Sequence, residues 1–188
     1  MSETDETATE AHTNDRFGSF LERARHRARS RFPEASLEDA TATGLVLRRI
    51  NRLMMDDAEN EVLRPAGLSW TEFRVCFSLW VSGSQQPHEV ATSTAMSRAS
   101  VSTTMKGLKK KELVATRDST IDLRSIMMTL TPGGIELVER AHAEHQALIE
   151  DWLSPLSPPE RMILQGLLGK IMLGPRAQPY ADGHAVNS

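Results

Sequence analysis

Cysteine is almost absent from this sequence of 188 residues, because Cys76 is the only one. A single cysteine excludes an internal disulfide and any cysteine-rich zinc site. Long apolar runs are absent too, and none approaches the roughly 20 residues that a membrane-spanning helix needs. The chain begins with acidic and polar residues, which is not typical of a secretory signal peptide. These absences predict a protein of the reducing cytoplasm with no membrane partner.

The sequence also lacks the motifs that carry enzyme chemistry. It contains no nucleophile elbow, no glycine-rich loop that cradles phosphates and no HExxH arrangement, since His88-Glu89 has no second histidine. We therefore predict that the protein is not an enzyme and needs no cofactor.

Two sensing functions stay open as alternatives. His142 and His145 are three residues apart on a predicted helix, a spacing at which two histidines can share a metal. Such pairs more often form a solvated or interface face, so no metal site is predicted. Cys76 leaves a redox sensor open, although a free cysteine in an apolar helix usually behaves as a small hydrophobic residue.

Charge is unevenly distributed along a chain whose net charge is only −3. Residues 1–15 carry five acids and no lysine or arginine. Residues 16–31 carry six arginines and one glutamate, and residues 97–111 carry five basic residues and no acid, so each segment has a local charge of +5. Two basic segments on a mildly acidic chain indicate positioned contacts with anions rather than bulk attraction.

Composition and periodicity divide the chain into five parts. Residues 1–35 are predicted to be a flexible extension, acidic and then arginine-rich, because residues 1–15 have no apolar periodicity. Within it, the helical spacing of apolar residues over 16–32 indicates a short amphipathic helix. A helix with an apolar stripe is predicted from residue 36 to about residue 63, within a segment 36–68. A lobe follows over 69–131, then two helices within 132–174 and a tail over 175–188. Capping boxes are predicted where Ser36, Ser69 and Ser157 each precede an acid by three residues. Thr131 is predicted to be the N-cap of a helix whose first residue is Pro132.

The lobe contains two short helical segments followed by two strand-like runs. The helices are predicted over residues 88–94 and 98–112, and the three residues between them make a helix-turn-helix. The strands are predicted in LVAT and SIMMTLT, on either side of the polar stretch RDSTIDLR at residues 117–124. The preceding helix is expected to bury Phe73, Phe77 and Trp80. The predicted fold is mainly α with a small β-hairpin wing (α+β).

The second helix of this pair, SRASVSTTMKGLKKK, is the candidate DNA-reading element. Val101, Met105 and Leu108 form its buried stripe, and Ser97 is a natural N-cap. Short hydroxyls and two cations point outward and suit base edges and phosphates; they are Arg98, Ser100, Ser102, Thr103 and Lys106. The three lysines at 109–111 either contact phosphate or only complement the negative end of the helix.

Three stretches of the sequence resemble the multiple antibiotic resistance regulator (MarR) family: LRPAGLSWTEFRVCFSL, SRASVSTTMKGLKKKELVATR and DLRSIMMTLTPGG. The resemblance implies a homodimer of winged helix-turn-helix subunits, with long N- and C-terminal dimerisation helices, that represses transcription from a double-stranded DNA operator. It implies that Arg124 enters the minor groove, that Asp122 steadies it, and that a small aromatic acid or similar effector releases the DNA. Arg117, at a strand end, contacts either phosphate or water.

The sequence departs from the family pattern in three places. Glu112 stands where the family usually has glycine, so the turn into the wing is expected to differ. The wing lacks the frequent proline of the family. The arginine-rich N-terminal extension is longer than usual, and we expect it either to lie along phosphates outside the operator core or to cap the dimer.

An effector pocket is predicted where the first two helices meet the wing lobe. The candidate lining residues combine aromatic walls with cations, namely Arg48, Arg52, Trp70, Phe73, Arg74 and Phe77. The alternative is plain core with surface arginines. A second class of function also stays open, in which the winged helix is an interaction module that binds protein and never DNA.

Overall fold

The computed structural model describes residues 3–33, 37–118 and 126–177. In these ranges the chain forms α1 (Glu3–Arg31), α2 (Leu37–Asp57), a π-helical segment (Ala58–Leu63), α3 (Trp70–Ser82), α4 (Pro87–Thr94), α5 (Arg98–Lys110), β1 (Val114–Asp118), β2 (Ile126–Leu130), α6 (Pro132–Leu153) and α7 (Pro158–Met172). The mainly α fold with one small hairpin is confirmed. Part of the predicted tail, from residue 178 on, lies outside the described residues.

The helices divide into two compact units, residues 1–55 and residues 56–188. In the first unit α1 and α2 run antiparallel, since Arg25 of α1 lies 3.4 Å from Asp39 and the Arg49 guanidinium lies 4.8 Å from the centre of the Phe17 ring. Helix α1 begins at Glu3, so residues 3–15, which were predicted to be flexible, are helical in the structure. Glutamate and alanine favour a helix, and acids favour its N-terminal end, even where no apolar stripe indicates one.

The helix predicted from residue 36 to about residue 63 changes its winding at Ala58. Helix α2 passes into the π-helical segment, in which Ala58, Val62 and Leu63 are buried. The division between the two compact units falls after residue 55, near the end of α2. The predicted cap at Ser36 lies outside the described residues.

Helix α3 is the central helix of the second unit. The capping box that begins it is confirmed: Ser69 Oγ accepts from the Glu72 N–H at 3.2 Å, and the Glu72 carboxylate accepts from the Ser69 N–H at 2.9 Å. The predicted buried face was partly wrong. Cys76 and Leu79 are each 2% exposed, whereas Trp80 is 38% exposed. The reason is that α4, α5, α6 and β2 surround α3, so its buried surface is wider than one stripe.

The last two helices begin at the predicted caps. Thr131 Oγ1 accepts from the Gly134 N–H at 3.0 Å at the start of α6, and the Glu160 carboxylate accepts from the Ser157 N–H at 2.8 Å at the start of α7. Helix α7 leaves its apolar side chains in solvent, and Ile163, Leu167 and Ile171 are 53–61% exposed. Among the described residues no helix is both long and apolar enough to cross a membrane.

Candidate nucleic-acid interface

Helix α5 lies against the core by one face only. Val101 and Leu108 are fully buried and Met105 is 7% exposed, as the spacing predicts. Ser97 caps the helix, because its hydroxyl oxygen accepts from the Ser100 N–H at 3.1 Å. The buried stripe and the cap together fix which face of α5 is presented to solvent.

The exposed face of α5 carries most of the predicted contact residues. Arg98, Ser102, Thr103 and Lys106 are exposed, and Ser97 is exposed at the N-terminal end. Ser100 is half-buried, and its carbonyl oxygen accepts from the Thr104 hydroxyl at 2.9 Å. Ser100 is therefore the member of the predicted set that is least open to a partner.

The turn between α4 and α5 is held by backbone hydrogen bonds. The Ala95 N–H donates to Thr92 O at 3.2 Å and the Met96 N–H donates to Ala91 O at 3.0 Å. Ala95 has φ 51°, in the left-handed region that favours glycine. The paired bonds form a Schellman motif, which sets the angle at which α5 leaves the turn.

The turn from α5 into the wing is built in the same way. The Glu112 N–H donates to Lys109 O at 3.1 Å and the Leu113 N–H donates to Leu108 O at 3.0 Å. Glu112 itself takes the left-handed conformation, with φ 58°. Glutamate at this position therefore keeps a turn that suits glycine, at a strain of roughly 1 kcal/mol.

The wing is an antiparallel pair in which Val114 faces Leu130 and Arg117 faces Met127. Gln85 pairs with Met128 through backbone bonds of 3.0 and 2.8 Å, which attaches the wing to the loop before α4. Arg117 is exposed and donates to Ser84 Oγ at 3.3 Å. Residues 119–125 of the wing tip, with Asp122 and Arg124, lie outside the described residues.

Two of the three lysines at the end of α5, Lys109 and Lys111, have partners within the protein. Lys111 Nζ lies 2.7 Å from the Glu72 carboxylate and donates to Gly67 O at 2.8 Å. Burial raises the pKa of Glu72, but hydrogen bonds from Lys111 and Ser69 outweigh burial and hold that pKa below its ordinary value. Lys109 Nζ donates to Thr116 Oγ1 at 2.8 Å. Lys111 therefore joins the end of α5 to α3.

Three of the predicted pocket residues lie in an aromatic row along α3. Trp70, Phe73 and Phe77 follow one another with ring centres 5.9 Å apart. The row packs on α6, where the centre of the His142 ring lies 4.8 Å from that of Phe77. The exposed end of the row, Trp80, was not predicted as a site residue, and its indole N–H donates to Glu139 at 3.1 Å.

The cations of the predicted pocket fall into two different cavities. Arg74 and Phe77 line a cavity of about 260 Å³ next to Ser78 and Ser93. The two serine hydroxyls lie 2.6 Å apart, and Ser78 donates to Gln85 at 2.8 Å, a cluster that no sequence pattern indicates. Arg48 and Arg52 line another cavity, inside the first unit.

Neither sensing alternative gains support from the geometry. In the described ranges no three side chains of histidine, cysteine, aspartate or glutamate approach closely enough to hold a metal. Burial lowers the pKa of His145, and the nearby His142 lowers it further. Burial also raises the pKa of the Cys76 thiol to about 12, which leaves almost no thiolate at neutral pH to react with an oxidant.

Known proteins match this chain in both sequence and fold. Residues 68–126 match the MarR family model. The uncharacterized HTH-type transcriptional regulator YwaE of Bacillus subtilis (strain 168) is 31% identical over 113 residues, which are 60% of this chain and 66% of YwaE.

Solved structures extend the match beyond the wing lobe. BpsR of Bordetella bronchiseptica, studied for the regulation of its DNA binding by 6-hydroxynicotinic acid, is 27% identical with a TM-score of 0.61, and the match covers 69% of this chain and 97% of BpsR. A mutant of E. coli MarR complexed with operator DNA is 21% identical and shares the fold, with a TM-score of 0.65 and coverage of 74% and 99%. The chain therefore belongs to the MarR family of winged helix-turn-helix transcriptional regulators.

Proposed function

We propose that the protein is a dimeric regulator that places α5 in the major groove of a DNA operator. The observation that carries this proposal is the exposed, acid-free face of α5 beside a wing that the loop before α4 holds in place. The helix has 13 residues, about 20 Å of helix, and a major groove about 12 Å wide admits one such element. Acting on DNA, the protein would work in the cytoplasm.

Two solved structures of similar proteins support this proposal. DNA binding by BpsR is regulated by 6-hydroxynicotinic acid, and E. coli MarR has been solved with operator DNA. We infer that this protein represses transcription and that a small aromatic or anionic ligand relieves the repression. Two α5 helices related by a two-fold axis would read half-sites about one helical turn apart.

A gel shift with the DNA upstream of its own gene tests DNA binding, with a genomic fragment library as the wider probe. We expect a specific complex whose affinity falls steeply as salt rises, because released counterions accompany each phosphate contact. Absence of binding to either probe at low salt would exclude the regulator and favour the interaction module.

Arg124→Ala in the wing is expected to weaken operator binding by about 1–3 kcal/mol, the effect of removing one good hydrogen-bonded interaction in a groove. Asp122→Ala is expected to act in the same direction and more weakly, because we assign it only to holding Arg124. Fluorescence anisotropy with a labelled operator measures both. Wild-type affinity in the Arg124→Ala protein would show that the wing arginine does not reach the groove.

Leu167→Glu on α7 is expected to raise the dissociation constant of the dimer by at least about 100-fold, because a charge would be buried without a partner. The exposed apolar stripe of Ile163, Leu167 and Ile171 is the surface that we propose pairs with the second subunit. Gln165→Glu adds the same charge on the other side of α7 and serves as the control. Sedimentation equilibrium measures the dimer dissociation constant of each of the two variants. Equal values would exclude this stripe from the interface.

Arg74→Ala is expected to raise about tenfold the concentration of 6-hydroxynicotinic acid that releases half of the bound operator. Arg74 is half-buried beside the cavity that it shares with Phe77, and a hydrogen bond between two charged groups is stronger than a neutral one. Operator affinity without the acid should not change, and Arg140→Ala is the matched control. An unchanged response would exclude Arg74 as the anion anchor.

A further inference from the structure

A second cavity lies entirely within the first unit, between α1 and α2. Its volume is about 530 Å³, inside the range of about 300–1,000 Å³ that is typical of small-molecule sites. Four arginines line it, namely Arg16, Arg48, Arg49 and Arg52, together with Phe17, Phe20 and two leucines of α2. The arginine-rich extension therefore contributes to a pocket and is not only a charged helix surface.

The cavity combines positive charge with an apolar floor. Among the described residues that line it none is acidic. Arg16 and Arg48 are exposed at its edge, and Phe20 is 47% exposed although it is a large aromatic side chain. The Arg49 guanidinium already lies over the face of Phe17, an arrangement that holds both groups in place. An occupant would need an acidic group for the arginines and a flat apolar body for the rings.

Helix α2 has an exposed apolar face that lies away from the cavity. This face is free to pair with another subunit. Leu47 and Ile50 are 41% and 42% exposed, and at 3.6 residues per turn they lie roughly on the opposite side of α2 from Arg48 and Arg52. A dimer formed through Leu47 and Ile50 would leave the arginine-lined cavity open. Charge complementarity thus favours a small anion over a second copy of the chain.

We propose that the α1–α2 cavity binds a small organic anion with one acidic group and a flat apolar body. The arginines at the edge hold the acidic group, and the phenylalanines and leucines contact the body. This site contains neither Arg74 nor any residue of α5, so its existence does not depend on the proposed DNA binding.

Two fluorescent probes with the same ring skeleton test the site on the full chain: 1-anilinonaphthalene-8-sulfonate, which is anionic, and N-phenyl-1-naphthylamine, which is neutral. In the Arg16→Gln/Arg48→Gln protein we expect the dissociation constant of the sulfonate to rise about tenfold, while that of the amine stays within about twofold. Phe20→Ala should weaken both probes. Arg23→Gln/Arg27→Gln removes two arginines of α1 outside the cavity and should change neither.

The remaining outcomes each overturn the proposal. Failure of the wild-type protein to bind the sulfonate, an unchanged constant in the Arg16→Gln/Arg48→Gln protein, or an equal loss in the control would exclude an anion site here. If light scattering showed that the Arg16→Gln/Arg48→Gln protein differs from wild type in oligomeric mass, the cavity surface would instead contact a second copy of the chain. If the DNA binding of this variant depended less steeply on salt, these arginines would instead contact phosphates. Far-ultraviolet circular dichroism checks that the Arg16→Gln/Arg48→Gln protein stays helical. If that variant unfolds, the Arg16→Lys/Arg48→Lys protein takes its place, and it should retain most of the sulfonate affinity.

Discussion

Alanine at position 134 is expected to lower the free energy of unfolding by about 3 kcal/mol, through overpacking and disrupted backbone hydrogen bonds. Gly134 is buried in the first turn of α6, and a Cβ added there would lie 2.1 Å from the carbonyl oxygen of Leu113 and 3.2 Å from Leu130 Cδ2. No rotamer relieves the first clash, because the atom it meets belongs to the backbone. Either α6 or the turn into the wing must move.

The turn cannot move without losing its own hydrogen bonds. Leu113 O accepts from the Thr131 N–H at 3.0 Å, and Glu112 O accepts from the Thr131 hydroxyl at 2.7 Å. These bonds join the end of α5 and the start of β1 to the cap of α6. A displacement of Leu113 would therefore also change how the wing is set beside α5, so we expect operator affinity to fall together with stability.

Gly133 provides the matched control for this substitution. A Cβ at Gly133 meets only Thr131 Oγ1, at 4.0 Å. Alanine at position 133 should leave stability unchanged or raise it by up to about 1 kcal/mol, since alanine favours a helix more than glycine does. Urea denaturation of both variants measures the difference. A loss of less than about 1 kcal/mol in the Gly134→Ala protein would show that α6 can shift away at little cost.

Sequence was sufficient for the parts of the fold that local chemistry determines. The caps at Ser69 and Thr131, the buried stripe of Val101, Met105 and Leu108, and the two wing strands were all predicted, because each is encoded by residues a few positions apart. Helix α1 was missed over its first residues since it lacks an apolar stripe there. The left-handed residues Ala95 and Glu112 were not indicated as such, because neither is a glycine.

The candidate site could be predicted from sequence only for the residues that lie on a single helix, α5. The exposed face of α5 follows from helical spacing, with Ser100 less exposed than expected. Lys111 could not be assigned from sequence, because its partner Glu72 lies 39 residues away and only the packing of α3 on α5 brings them together. Four of the six predicted effector residues fell into two separate cavities for the same reason, since aromatic and cationic residue types do not indicate which helices will be neighbours.

The Arg98→Ala/Lys106→Ala protein is expected to bind operator DNA more weakly by about 2–4 kcal/mol, roughly a 30- to 1,000-fold rise in the dissociation constant. Both side chains are exposed on the face of α5 away from Val101 and Leu108, so truncation removes charge without opening the core. Thermal unfolding should change little. The slope of log affinity against log salt should become shallower by about one for each cation that no longer neutralises a phosphate.

Two comparisons make this expectation specific to α5. Arg64→Ala/Arg140→Ala removes the same charge from exposed positions outside the reading face, and its operator affinity should stay within about twofold of wild type, since distant exposed charges are largely screened at physiological salt. Lys111→Met should lower stability rather than the intrinsic affinity for DNA, because Lys111 is bonded to Glu72 and Gly67. If the α5 variant and its charge-matched control showed the same fall in affinity, the protein would bind DNA by overall charge, and α5 would not be its reading helix.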